Sequence, residues 1–115
     1  MFQVTREEFE ELVGDALDGV PEGLMELTQN LVIQVDDNPP PGRAIRGLYR
    51  GVPLTKRGHN YAGILPDTIH IYRNPIMRMS TSQEDIVEQV RIVVVHEIAH
   101  HFGISDARLH ELGYA

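Results

Sequence analysis

Apolar residues recur at Phe9, Leu12, Val13, Ala16 and Leu17 with acids between them. That 3.6-residue spacing lays one stripe along a helix. Thr5 precedes the stripe and Glu8 follows three residues on, the pattern of a capping box, while Val4 and Phe9 can staple across the cap. The spacing therefore predicts a helix over 6–18, ended by Gly19, and Pro21 opens a shorter one to about Leu27. From Leu31 the period drops to two: Leu31, Ile33 and Val35 alternate with Gln34 and Asp36, predicting a strand over 31–36 that Asn38-Pro39-Pro40-Pro41-Gly42 stops. Further strands are expected over 44–54 and 68–73, with a loop over 56–66 between them and Asn74-Pro75 ending the last. The 68–73 strand is the candidate sheet edge along which an extended peptide could lie, with an interior place in the sheet as the equal alternative.

Thr81 or Ser82 can cap a long helix running to about Phe102, and Thr81 with Glu84 is a second possible box. Ile92, Val93, Val94, Val95, Ile98 and Ala99 leave this helix apolar on nearly all sides. Such a helix is buried, and its β-branched run needs tertiary packing to sustain it. Gly103 supplies the C′ position, and Ser105 can cap a last helix from Asp106 to about Leu112. Helices, then strands, then helices describe an α+β domain. The expectation is a compact unit over residues 1–115, with a small mixed β-sheet packed on a long buried helix and with helices at both ends.

The 115 residues suffice for one core. There are no cysteines, so thiolate metal sites, disulfides and cysteine nucleophiles are excluded. The acidic, amphipathic start is unlike a signal peptide, and no apolar run approaches the ~20 residues of a membrane span, so a cytoplasmic location is expected and a membrane partner is not. The net charge of −7 is unevenly spread: residues 1–39 sum to −9, 40–79 to +6 and 80–115 to −4. The basic middle could attract an acidic partner. It has none of the interleaved aromatics that single-strand binders use, so nucleic acid is not the expected partner.

The chemistry gathers at His96-Glu97-Ile98-Ala99-His100. On a helix, residues four apart share one face, so both imidazoles can turn to one zinc ion. Glu97 lies about 100° round the helix, placed to act on the water of that site as general base rather than to ligate. A catalytic zinc wants a third protein ligand. Gly103 permits a sharp turn, after which Asp106 can return beneath the two rings, completing HExxHxxGxxD. Glu111 and His110 are alternative third ligands. His101 points to another face, and His59 and His70 are weakly placed. Tyr49, Arg50, Tyr61 and Tyr114 are candidates to stabilise an oxyanion.

The 96–106 stretch resembles the zincin motif in its Asp-terminated, extended form. The wider chain is similar to the small bacterial zincin-like metallopeptidases, minimal metalloprotease domains, through Gly47–Leu54, Leu65-Pro66-Asp67, Ile69, Tyr72-Arg73, His96–Asp106 and Glu111–Tyr114. The resemblance implies a compact α+β zincin fold, one zinc ion on His96, His100 and Asp106, and Glu97 as general base. Unlike metzincins, the sequence has no Met-turn after Asp106; Met77 and Met79 lie upstream. The activity expected is hydrolysis of peptide or protein substrates. Two alternatives stand beside it: a zinc-binding regulatory or interaction module with a vestigial site, and a zinc hydrolase of a non-peptide amide.

Overall fold

The computed structural model describes residues 2–28, 30–51 and 66–114. Among these described residues, five helices and three strands follow in the order α1 (Arg6–Asp18), α2 (Glu22–Met25), β1 (Leu31–Asp36), β2 (Gly47–Arg50), β3 (Asp67–Tyr72), α3 (Arg73–Met79), α4 (Gln83–His101) and α5 (Asp106–Glu111). The expected α+β architecture holds, with a three-stranded mixed sheet in the order β1-β3-β2. β1 runs parallel to β3, and β2 antiparallel to it.

Local signals fix most of these elements. Thr5 and Glu8 form the reciprocal capping box at the start of α1, which buries Phe9, Val13 and Ala16. At α4 the cap is Ser82, whose side chain accepts from Asp85 N–H, while Asp85 accepts from Thr81 N–H. Ser82 is thus the cap, and the Thr81–Glu84 box does not form: Asp85 reaches back to the N–H of Thr81, one residue before the cap, rather than to that of the cap itself. α2 is shorter than expected, and so is β2; residues 52–54 of the expected strand lie outside the described residues, as do residues 56–65 of the expected 56–66 loop.

Two expectations are resolved. Asn74-Pro75 does not merely end β3: α3 begins at Arg73, and Pro75 occupies its first turn, where no helical N–H is needed. And of the two places open to the 68–73 strand, β3 takes the interior one: within the described sheet it is paired on both sides, by β1 and by β2.

α4 is the spine. It buries Ile86, Val90, Val93, Val94, Val95, Ile98 and Ala99, and α1, α2, α3, β2 and β3 all pack against it. Burial of this kind contributes roughly 1.5–3 kcal/mol per large apolar side chain relative to exposure, enough to hold a β-branched helix that propensity alone would not favour. Gly47 shows how close β2 lies: a Cβ there would collide with Val93 Cγ1 and stand 3.0 Å from the His70 carbonyl oxygen. The approach of β2 to α4 places strand backbone beside the second half of that helix. No helix among the described residues is long and apolar enough to cross a membrane.

A candidate metal centre at the end of helix α4

The last turns of α4 turn one face inward and another outward. Val95, Ile98 and Ala99 are buried, whereas His96 is half-buried and His100 exposed. The two rings, four residues apart, stack with centroids 5.8 Å apart and planes 24° from parallel. Phe102 closes the helix, and Gly103, at φ +78°, turns the chain back. A left-handed φ is open to glycine without strain. Ser105 then caps α5 through Arg108 N–H, and Asp106 arrives under the rings.

Asp106 Oδ1 lies 2.9 Å from His100 Nε2 and 3.7 Å from His96 Nε2. The hydrogen bond with His100, chiefly, holds the Asp106 carboxyl below the usual carboxylate range; desolvation opposes it, and the nearby positive charge of His100 and His96 adds to it. The three residues singled out from sequence are therefore brought together. Among the described residues no group of three His, Asp or Glu side chains stands closed into ligand geometry. The donor set nonetheless fits a small divalent ion. Ligand atoms at 2.0–2.1 Å round a tetrahedral centre are roughly 3.3 Å apart, and the two nitrogen–oxygen distances here bracket that figure. The side chains of His96, His100 and Asp106 are 36%, 53% and 72% exposed, so the remaining adjustment is rotation of surface groups. Two imidazoles and a carboxylate are borderline donors that suit zinc.

Glu97 faces a different neighbour. Its Oε1 accepts a hydrogen bond from the main-chain N–H of Tyr49, at 2.9 Å. The N–H and C=O of Tyr49 point away from β3, so this donor is not part of the β2–β3 ladder. Beside Glu97 and His96 opens a cleft of about 310 Å³, walled by Ala44–Gly47, Met79 and Val93.

The alternative ligands fall elsewhere. Glu111 pairs with Arg108 at 3.0 Å. His101 stacks on the Tyr49 ring at 4.0 Å and is hemmed by Gly51, where a Cβ would stand 2.7 Å from the ring. His70 lies 2.8 Å from Asp36 on β1 and stacks with Tyr72. His110 is exposed on α5; His59 lies outside the described residues. Of the candidates for oxyanion stabilisation, the Tyr49 hydroxyl donates to Asp67 at 2.7 Å, the Tyr114 hydroxyl lies against Gly23, Arg50 is exposed, and Tyr61 lies outside the described residues. Sequence reasoning missed the Tyr49 N–H and the wall formed by residues 44–47 and Met79. The signal was present in Gly47, in β2, and Gly51, just after it, two glycines where backbone closely approaches a neighbour.

A family profile described as zincin-like metallopeptidase matches residues 28–114. Among solved structures, a conserved hypothetical protein from Thermo thermophilus is similar, with a TM-score of 0.56 and 26% identity over 85% of this chain and 94% of that one. No curated protein matches the chain.

Proposed function

The chain belongs to the zincin-like metallopeptidase family, and from that premise we propose that it is a zinc-dependent peptidase, one unit over residues 1–115, with His96, His100 and Asp106 as the ligands and Glu97 as general base. The observation that carries this reading is the approach of Asp106 Oδ1 to both imidazole Nε2 atoms, across the turn at Gly103. When bound, zinc supplies Lewis acidity, which makes water a stronger acid and a carbonyl a better electrophile.

The chain's own residues supply the rest. Glu97 accepts a proton from the attacking water and delivers it to the leaving amine, a role that needs a carboxylate fixed in place yet open on one side. The Tyr49 N–H holds Oε1, which leaves Oε2 for the proton. The cleft walled by residues 44–47 and Met79 borders both His96 and Glu97 and can seat the peptide against them.

The test pairs elemental analysis of the native protein with cleavage of a peptide library by wild type and by Glu97→Gln. Hydrolysis by wild type, with about one equivalent of zinc in both proteins and no turnover by the variant, supports the reading. Equal turnover by the two would remove Glu97 as the base. One zinc with no turnover of any peptide would favour the alternative, a binding module in which the metal contributes only folding energy.

A further inference from the structure

The basic middle segment of this acidic chain has a location in the fold. Beyond Ala44–Gly47 and Met79, the cleft beside Glu97 is continued by a second cavity of about 210 Å³, which Ala44, Ile45, Arg46 and Met79 line in common with the first. Its other walls carry Arg43 and Arg78, together with Pro39 and Pro75. Arg43 and Arg78 are exposed, and among the described residues neither guanidinium has a hydrogen bond or an ion pair. Arg46 is half-buried and is held by Gln89, a neutral amide that leaves its charge uncancelled. The acid on the adjoining loop, Asp37, is already engaged by Arg6 and Arg73. Met79, 55% exposed, stands where the two cavities meet.

Three guanidinium groups thus converge on an apolar-walled cavity joined to the catalytic cleft, without acids to neutralise them. Elsewhere the chain carries an excess of negative charge, which would repel an acidic ligand from other surfaces. We propose that this cavity is a subsite for acidic side chains, so that the preferred substrate is a peptide with Asp or Glu a few residues to one side of the cleaved bond. Arg43 and Arg78 are the specificity-determining residues, and Met79 is an adaptable apolar contact between them and the reacting bond. The identity of the bond cut rests on the peptidase reading; the preference in binding does not.

The two are separated by measuring binding apart from cleavage. The probes are fluorescein-labelled decapeptides with a central Leu-Ala, flanked by four Glu, four Gln or four Lys. With zinc-loaded Glu97→Gln, fluorescence anisotropy is expected to show the Glu peptide binding roughly tenfold tighter than the Gln peptide, and the Lys peptide weakest, with the advantage shrinking as salt is raised. Adding Arg43→Glu with Arg78→Glu, both at exposed positions and checked for folding by circular dichroism, is expected to invert the order. The same preference is expected in kcat/KM when wild type cleaves the unlabelled peptides. Equal binding of the three peptides, a preference that survives the double reversal, or no binding at all overturns the proposal, even if wild type cuts peptides efficiently. The expected preference in binding, with no cleavage by wild type, upholds the subsite and refutes the peptidase reading.

Discussion

The main-chain N–H of Tyr49 donates to Glu97 Oε1 across 2.9 Å, tying strand β2 to helix α4 at the carboxylate that the proposed chemistry needs. A general base works only if its lone pair is aimed, and aiming a half-buried carboxylate takes a donor that does not itself move. Backbone in a paired strand meets that need better than a side chain would.

Removing this donor is possible without breaking the sheet. The Tyr49 N–H faces away from β3, so a proline there takes no hydrogen bond from the β2–β3 ladder. Tyr49→Pro is expected to lower kcat by roughly 10- to 100-fold, the loss of one orienting hydrogen bond to a charged group. Tyr49→Ala keeps the N–H and loses the ring stacked on His101 and the hydroxyl bound to Asp67; it should cost mainly stability, about 1–3 kcal/mol. Steady-state kinetics beside urea unfolding of both variants makes the comparison, and an equal fall in kcat for the two would show that the ring, not the N–H, matters.

Metal removal should affect activity far more than fold. The three proposed ligands lie on the surface, and no residue of the buried core is among them. The core closes through α1, α4 and the sheet without help from the site. A chelator is therefore expected to abolish hydrolysis while lowering the melting temperature by only a few degrees. Asp106→Ala should act similarly, binding zinc at least tenfold more weakly and staying folded. Calorimetry of apo and zinc-loaded protein decides it; complete melting on chelation would mean that the ion is structural.

How much of this was legible in the chain depends on how local each signal is. α1, β1, α4 and α5 rest on caps and periodicity within a dozen residues, and their expected spans agree with the structure to within a residue or two. The turn at Gly103 was equally local, so the gathering of His96, His100 and Asp106 could be read from spacing alone. α3 was hidden because Pro75 reads as a stop, although a first-turn proline is compatible with a helix. The interior position of β3 was hidden because strand order is decided by pairing between distant segments, and six residues of alternating sequence fit an edge or a centre alike. The Tyr49–Glu97 hydrogen bond belongs to that second kind: it spans 48 residues, and no pattern in either segment encodes the other.

Acid should loosen the far side of the sheet through Asp36. Burial pushes its carboxyl up, but hydrogen bonds from Gln34 and His70, together with the positive charge of His70 and Arg6, outweigh that and hold it below the usual carboxylate range. A folded value below the unfolded one means stabilisation that is present above the unfolded pKa of about 3.9 and disappears as the pH falls through the lowered folded value. Urea unfolding from pH 6 down to about pH 2 is expected to show wild type losing its advantage over Asp36→Asn within the acidic end of that range. Parallel stability curves for the two proteins would rule out this contribution.

The closeness of β2 to α4 gives the last prediction. A methyl group at residue 47 would collide with Val93 Cγ1 and meet the His70 carbonyl oxygen at 3.0 Å; the first is the end of a side chain, the second is backbone. Gly47→Ala should therefore destabilise by about 1–3 kcal/mol. It should also lower activity more than the small unfolded fraction explains, because β2 must back away from the helix and carry the Tyr49 N–H with it. Val93→Ala removes the nearer obstacle but opens a void of its own. In the double variant the void is partly filled by the new methyl, so the two losses should sum to less than their separate values, by about 0.5–2 kcal/mol. Recovery should remain incomplete, since the His70 carbonyl cannot be trimmed. Chemical denaturation of the four proteins in the cycle, with kcat measured on each, tests both halves: strict additivity would mean that residue 47 does not press on Val93, and full activity in Gly47→Ala would mean that the strand can shift without disturbing Glu97.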